Sequence, residues 1–370
     1  MKKPLKLYVA ATRQNDGKTT TALGLLEAIT DLFPRVGYIK PVGQQVKLIG
    51  NHRIDKDASL MDDVFHIGSS LYDMNPIAVP KGFTENFILH GDVDDLKGKI
   101  QIAYKRASEG KDFMIIEGTG HAGVGSVLDL SNAAVAKLLK SPVIIVTCAG
   151  VGRPIDEAML NKAVFDSYGV NLLGVIVNKV IPEKYEKIDN IVRLGFKRKG
   201  IDVFGVVPFF PLLASPTLRQ LIEDIKGELI SKEEGLDQIV SKIVVGAMSP
   251  STVFEYLKGD VLLITPGNRE DLILAAITCN VPGIQEDCSV KGIILTCGVW
   301  PNNTVLKIIK QTNIPMFLVK DDTFTTAQKI TDLIIKIKPG DTEKIATVKK
   351  MIKKHIDIDA LINKLNDLTS

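Results

Sequence analysis

A glycine–lysine–threonine triplet near the start of the chain, Gly17, Lys18 and Thr19, has the residue types that bind phosphate. An apolar run precedes it, and leucines and alanines at helical spacing follow it. The triplet therefore lies where a strand passes through a polar loop into a helix. Backbone N–H groups of such a loop bind an anion, the lysine adds a positive charge, and the threonine hydroxyl can ligate Mg²⁺. The predicted phosphate-binding residues are Asn15, Asp16, Gly17, Lys18, Thr19 and Thr20.

The loop is one residue longer than the usual phosphate-binding motif. That motif has a glycine five residues before its Gly-Lys, where this sequence has Thr12. The small residue here is Ala11, six residues before Gly17. An ordinary strand-to-helix turn with a chance Gly-Lys-Thr is the alternative. The flanking strand and helix patterns favour the phosphate-binding loop.

Three charged side chains at other predicted element ends could complete a site. Lys40 ends the second predicted strand, Asp57 begins the helix after it, and Glu117 ends a later apolar run before a glycine-rich turn. Ligands of open α/β sheets bind at the carboxyl ends of strands, and an acid there is the usual partner of phosphate-bound Mg²⁺. Glu117 and Asp57 are therefore candidate oxygen ligands. The alternatives are a surface charge for Lys40 and a helix N-terminal residue for Asp57.

The elements that must position these residues follow an α/β pattern in the first half of the chain. Continuously apolar runs predict strands covered on both faces, as in a parallel sheet. The predicted strands are 5–11, 36–41, 113–117, 143–148, 172–178 and 203–208. The predicted helices are 18–33, 57–67, 93–108, 133–140, 155–167 and 184–199. The stretch 68–86 shows no clear period and is predicted to be a loop beside the site.

A second, smaller set of strand–helix units follows a break near Leu213. Residues 226–242 are charged and predicted to be helical in part. The predicted strands are 261–265, 292–297 and 316–319, and the predicted helices are 269–278, 304–312 and 325–337. Another lysine-rich helix is predicted after Pro339. The predicted domains are thus 1–213, a smaller α/β domain over 214–338, and a lysine-rich helical tail over 339–370.

Composition excludes several classes of protein. The chain has 370 residues, 45% hydrophobic and 24% charged, which is an ordinary globular composition. A net charge of +3 does not indicate a nucleic-acid partner. The scattered histidines and cysteines lack zinc-site spacing, and Cys148 and Cys297 are predicted to be reduced, packed thiols. No run has the length of a membrane span or a signal peptide, so we expect no membrane partner and a cytoplasmic location.

Six segments follow one another in a characteristic order along roughly the first 210 residues. They are the phosphate-binding loop, Tyr38-Ile39-Lys40-Pro41-Val42, Asp57, Ile116-Glu117-Gly118-Thr119-Gly120, Val177-Asn178-Lys179 and Gly205-Val206-Val207-Pro208. In this order they resemble dethiobiotin synthetase. The region is also similar to the N-terminal domain of long phosphotransacetylases and to the cobyrinic acid a,c-diamide synthase group. The resemblance implies a P-loop NTPase fold, with a parallel sheet and helices on both faces.

The same resemblance implies roles for individual residues toward ATP and Mg²⁺. Lys18 would bind the phosphates, and Lys40 would be a second active-site lysine near the substrate and the transferred phosphoryl group. The implied Mg²⁺ ligands are Thr19, Asp57 and Glu117. The implied adenine contacts are Asn178, Val207 and Pro208.

Two departures separate the chain from dethiobiotin synthetase. That enzyme has a serine shortly after its Lys-Pro-Val, where this chain has Gly43-Gln44-Gln45. Its diaminoacid substrate loop has no clear match in residues 68–86. The segment after Glu117, up to Asn132, looks instead like the phosphotransacetylase branch. The resemblance therefore implies nucleotide binding rather than a particular acceptor.

The second half resembles the DRTGG domain, although the literal five-letter motif is absent. The matching stretches are 245–249, 264–271 and 321–327. In long phosphotransacetylases this domain lies between the P-loop domain and the acyltransferase domain. In some pyrophosphatases it accompanies nucleotide-sensing modules and helps form a dimer. Residues 265–269 could form an anion-binding turn, but we favour a role in turns and a homodimer interface.

Two functions of different classes follow. As an enzyme, the chain would pass the γ-phosphate of ATP to a small carboxylate or carbamate, or to water, with Lys40 orienting the acceptor. As a regulator, it would sense nucleotide and act through its second domain or a partner enzyme. Acetyl transfer is disfavoured, because the sequence stops about where the acyltransferase domain of a long phosphotransacetylase would begin.

Overall fold

The computed structural model of the chain describes residues 3–281, 283, 287–333 and 335–368. They form two compact units. The first unit comprises the described residues up to Phe209 together with those from Ile337 onward, and the second is Phe210–Lys336. The fold is α/β, as predicted. No helix among the described residues is long and apolar enough to cross a membrane.

The first unit is built on a six-stranded sheet in the order β10-β9-β8-β1-β7-β2, with every neighbouring pair parallel. Its central strands are buried on both faces, which is why their sequences are continuously apolar. The strands of this unit are β1 (Leu5–Ala11), β2 (Val36–Ile39), β3 (Val42–Gly43), β4 (Val46–Ile49), β5 (His52–Asp55), β6 (Ile77–Ala78), β7 (Phe113–Glu117), β8 (Val143–Cys148), β9 (Leu172–Val180) and β10 (Asp202–Pro208).

Helices flank this sheet. One core cluster joins β1, β7 and β8 to apolar residues of α5, α6, α7 and α8, such as Ile100 and Phe165. The helices are α1 (Lys18–Thr30), α2 (Lys56–Phe65), α3 (Leu71–Met74), α4 (Phe83–His90), α5 (Val93–Ala107), α6 (Asn132–Leu138), α7 (Gly152–Ser167) and α8 (Tyr185–Lys197). The prediction of a plain loop over 68–86 is wrong, because α3, β6 and the start of α4 lie there.

The second unit has a five-stranded sheet in the order β11-β15-β14-β13-β12, in which β11 is antiparallel to β15 and the other pairs are parallel. Apolar clusters cover both faces. Its strands are β11 (Glu228–Leu229), β12 (Lys242–Val245), β13 (Gly259–Pro266), β14 (Cys288–Thr296) and β15 (Met316–Leu318). Its helices are α9 (Pro211–Ala214), α10 (Leu218–Ile225), α11 (Pro250–Val253), α12 (Glu270–Cys279), α13 (Asn303–Ile309) and α14 (Thr323–Thr331).

Three details of the second unit differ from prediction. Residues 226–242 contain turns and the short β11 rather than helix. Cys297 is a free thiol, but it is exposed rather than packed. Cys279 and Cys288 form a disulfide between the end of α12 and the start of β14. The predicted helix over 325–337 ends earlier, at Thr331, and position 334 lies outside the described residues.

The C-terminal residues belong to the first unit rather than forming a separate tail. Here α15 (Thr342–His355) and α16 (Ile358–Asp367) follow the second unit. Helix α15 packs on α1, where Lys349 and Lys353 pair with Glu27 (2.9 Å) and Asp31 (2.7 Å). Ile356 then forms a β-bridge with Gly205 of β10. The segment that follows the second unit thus completes the packing around the first sheet.

Candidate functional site

The predicted phosphate-binding loop joins β1 to α1 and is held in shape by Asp16. One carboxylate oxygen of Asp16 accepts hydrogen bonds from the Thr12 hydroxyl and the Arg13 N–H, both at 2.7 Å. The Cys148 thiol donates to the other oxygen at 2.9 Å. Burial, reinforced by Asp16, raises the pKa of Cys148 to about 12, so this thiol stays protonated at neutral pH. The loop is therefore braced by its own aspartate and by β8.

The end of β9 braces the other side of the loop. The Asn178 amide donates to the Asp16 carbonyl at 2.9 Å, and the Lys179 ammonium donates to the Asn15 carbonyl at 2.7 Å. A Cβ at Gly17 would lie 2.2 Å from the Asn178 amide nitrogen, and Gly17 has a φ of 100°, so this position requires glycine. The structure thus places Asn178 against the loop.

The other two residues implied to contact adenine lie at the end of β10, next to β9. Val207 is fully buried and Pro208 is half-buried. A role of these residues and of Asn178 toward adenine stays a prediction.

Lys18 is the first residue of α1 and its side chain is almost fully buried, with 8% of the residue exposed. Burial lowers the pKa of Lys18 to about 8, although Glu117 and other nearby carboxylates oppose that change. A buried lysine that lacks an ion pair at contact distance among the described side chains would gain from an anionic ligand.

Glu117 ends β7 and connects it to β2 and to the first turn of α1. One of its oxygens accepts from the Thr19 hydroxyl at 2.7 Å, and the other accepts from the Tyr38 hydroxyl at 2.8 Å. Glu117 is fully buried, and burial raises its pKa above the usual range, opposed mainly by the charge of Lys40. A buried carboxylate with a perturbed pKa beside a phosphate loop is typical of a functional site.

Lys40 forms the centre of a buried ion cluster. Its ammonium contacts Asp57, and it lies 3.3 Å from an Asp55 oxygen and 3.5 Å from a Glu117 oxygen. Lys40 is only 5% exposed, so the alternative that it is a surface charge is wrong. Burial disfavours its charge, but the carboxylates of Glu117, Asp57 and Asp55 outweigh that cost and raise the pKa of Lys40 above its ordinary value.

Asp55 belongs to the site and was missed at the sequence level. It ends β5 and is the N-cap of α2, since it accepts from the Asp57 N–H at 2.9 Å and from the Gln45 N–H at 3.0 Å. It therefore fixes the start of the helix that carries Asp57. The signal was the Asp-Lys-Asp spacing, 55–57, in which the first acid caps the helix and the second lies in its first turn.

The turn after Glu117 depends on a second missed residue, Asn132. Its amide nitrogen donates to the carbonyls of Thr119 (2.7 Å) and His121 (2.6 Å). Its oxygen accepts from the Thr119 N–H at 2.9 Å and from the Tyr8 hydroxyl at 2.8 Å. Asn132 thus ties the glycine-rich turn to α6 and to β1.

The residues present fit a magnesium ion. Thr19, Asp57 and Glu117 offer the hard oxygen atoms that Mg²⁺ prefers, and the carboxylates already gather around one cation, the Lys40 ammonium. Among the described residues, no group of three or more His, Cys, Asp or Glu side chains forms an all-protein metal site.

Comparison with known proteins assigns the first part of the chain. The sequence model described as "AAA domain" matches residues 5–217, more than half of the chain. The chain belongs to this AAA domain family. In the family member described here, the DRTGG domain model matches residues 220–333. The predicted combination of a dethiobiotin synthetase-like P-loop domain and a DRTGG domain is confirmed, and with it the predicted P-loop NTPase fold class.

Curated relatives of this AAA domain protein are phosphate acetyltransferases. The protein from Synechocystis sp. is 26% identical over 378 residues, which cover 98% of this chain and 52% of that protein. The protein from Nitratidesulfovibrio vulgaris is 26% identical over 368 residues, covering 97% and 51%. The chain thus spans about half the length of the curated relatives it matches. This agrees with a resemblance to the N-terminal region of long phosphotransacetylases.

Solved structures overlap the chain only in part. The septum site-determining protein MinD complexed with Mg-ADP, from Pyrococcus horikoshii, is 15% identical, with a TM-score of 0.35 over 56% of this chain and 82% of that one. The CBS and DRTGG domains of a Clostridium perfringens pyrophosphatase, complexed with diadenosine tetraphosphate, are 15% identical, with a TM-score of 0.27 over 46% and 85%. Structural similarity this low does not indicate which ligands this chain binds.

Proposed function

We propose that the chain binds Mg²⁺-ATP at the loop between β1 and α1 and transfers the γ-phosphoryl group to an acceptor oxygen. The acceptor is a small carboxylate or carbamate, or water. One observation carries the proposal: Lys18, Lys40 and Glu117 end or follow three neighbouring parallel strands and converge with Thr19 at one edge of the sheet. Such convergence of two buried lysines and an acid on a phosphate loop fits phosphoryl transfer.

Each residue has a task in this proposal. The loop N–H groups and the start of α1 bind the phosphates, and Lys18 supplies a positive charge in a site where burial strengthens it. Thr19, Asp57 and Glu117 would hold Mg²⁺. When bound, Mg²⁺ would neutralise charge on the transferred phosphoryl group. Lys40 would orient the acceptor oxygen against that group.

A second candidate function is nucleotide sensing, with occupancy of the first unit read out through the second. Two findings favour it: the DRTGG domain match, and relatives that are phosphate acetyltransferases of about twice this length. In this case ATP would bind without appreciable turnover. A homodimer and a cytoplasmic location belong to both candidates.

Phosphate release from purified protein with Mg²⁺ and ATP tests the first candidate. We expect turnover that rises when small carboxylates, or amines together with bicarbonate to form carbamates, are added, and loss of turnover in Lys18→Ala. Lys111→Ala is the matched control, because that half-buried lysine donates to the Ile67 carbonyl, away from the loop, and should keep wild-type turnover. Tight ATP binding with negligible release in every mixture would reject the enzyme and support the sensor. Absence of ATP binding would reject both.

A further inference from the structure

The charge of the Lys40 ammonium is shared among three buried carboxylates. It donates hydrogen bonds to Asp57 and to Glu117 (3.5 Å) and lies 3.3 Å from an Asp55 oxygen. A phosphate or an acceptor therefore competes with these carboxylates for Lys40. To move toward a substrate, the ammonium must give up its hydrogen bonds to Asp57 and Glu117.

The three acids could not remain buried together without a cation. Glu117, Asp55 and Asp57 are each at most 2% exposed, and an unpaired carboxylate in such surroundings is very costly. The other cation nearby, Lys18, interacts electrostatically with Glu117 and Asp57, but Lys40 is the cation that contacts all three acids. A departing Lys40 must therefore be replaced by another positive charge.

The replacement fits the proposed metal site, because two of the three acids are proposed Mg²⁺ ligands. We propose that the Lys40 ammonium is the resident cation of this pocket and that Mg²⁺ replaces it only when a nucleotide phosphate draws Lys40 away. The inference rests on the proposed function and adds an order of events to it. Metal and nucleotide bind together, and a metal ion alone is excluded by the ammonium.

Asp55 has a separate part in this exchange. It is not a proposed metal ligand, and its two oxygens accept from the N–H groups of Asp57 and Gln45. It therefore stays in place when Lys40 moves and keeps α2, with Asp57 in its first turn, in register. Asp55 is a positioning residue, and the exchange takes place between Asp57 and Glu117.

Binding of Mn²⁺ to nucleotide-free protein, followed by electron paramagnetic resonance, tests the proposal. We expect wild type to show no tight site and Lys40→Met to gain one site per chain, at least about a hundredfold tighter, because the competing charge is gone. Adding Asp57→Asn to Lys40→Met should remove the gained site. Lys40→Arg, which keeps the cation, and Lys111→Met, a lysine outside the cluster, should gain none.

Two results would overturn the proposal: a Mn²⁺ site in nucleotide-free wild type as tight as in Lys40→Met, or no gained site in Lys40→Met. Because Lys40→Met leaves buried acids unpaired, its unfolding temperature is measured with and without Mn²⁺. Mn²⁺ should raise it in the variant and not in wild type, and an unfolded variant that Mn²⁺ does not rescue also counts against the proposal.

A second Mn²⁺ measurement, with nucleotide present, distinguishes a failure of this proposal from a failure of the proposed function. With a non-hydrolysable ATP analogue present, wild type should acquire the Mn²⁺ site that it lacks alone. If wild type binds no nucleotide, the proposed function is rejected. The Mn²⁺ titration of nucleotide-free protein would still decide whether Lys40 is the resident cation.

Discussion

The contact between α1 and α15 can be tested at a single glycine. A Cβ built at Gly24 of α1 would lie 2.1 Å from Cγ1 and 2.5 Å from Cβ of Ile352 on α15. Because Ile352 Cβ cannot rotate away, Gly24→Ala must displace α15 itself. Gly98, in the middle of α5, is the matched control, since a Cβ there meets nothing within 4 Å.

The expected magnitude is the difference between the free energies of unfolding of the two variants. Alanine gains about 1 kcal/mol over glycine inside a helix, and this gain is common to both. Overpacking costs about 1–3 kcal/mol and applies only to Gly24→Ala. Gly98→Ala should therefore stabilise the first unit by up to about 1 kcal/mol. Gly24→Ala should lie about 1–3 kcal/mol below Gly98→Ala in free energy of unfolding.

Urea unfolding measures that difference, and hydrogen exchange locates it. The amides of α15 should lose protection in Gly24→Ala and keep it in Gly98→Ala. Equal free energies of unfolding in the two variants, with unchanged protection of α15, would refute the packing of α15 on the helix that follows the phosphate loop.

Three further predictions concern the site. Gly17→Ala should weaken nucleotide binding by calorimetry at least about tenfold, because the new methyl meets Asn178 at a left-handed backbone position; binding equal to wild type would contradict this. Burial lowers the pKa of Lys18 to about 8, so its charge is lost as the pH rises through 8. The affinity for ATP should therefore fall about tenfold between pH 7 and pH 9, and binding should take up protons. An affinity that does not change with pH would contradict this prediction. Asn132→Ala removes the acceptor of the buried Tyr8 hydroxyl and should lower the free energy of unfolding in urea by about 1–3 kcal/mol.

The sheet of the first unit was predictable because its strands are buried on both faces. Continuous apolar runs at Leu5–Ala11, Phe113–Glu117 and Val143–Cys148 mark such strands directly. The stretch 68–86 was not predictable, because its elements are two to eight residues long and depend on tertiary contacts. Asn75, for example, accepts a hydrogen bond from the Asp55 N–H and donates one to the Lys40 carbonyl. Neither hydrogen bond produces a periodic pattern of residue types in the sequence.

The part of the site that was predictable consists of charged side chains at or just after strand ends. Lys18, Lys40 and Glu117 could be expected at one edge, because parallel strands carry their carboxyl ends to the same side. The side chains that hold them could not. Tyr38 reaches Glu117 across 79 positions and Tyr8 reaches Asn132 across 124, and such pairs are set by sheet order rather than by local pattern.

The path of the chain through its two units also sets the order in which they can be completed during synthesis. Helix α15 leaves the ribosome only after the whole second unit, Phe210–Lys336. At a synthesis rate of about 5–20 residues per second, the face of α1 that packs against α15 stays uncovered for on the order of ten seconds. Throughout that interval the outer edge of β10, which Ile356 later pairs with, is open to pairing with other chains. The length of the second unit therefore sets how long the nascent first unit is exposed to such pairing.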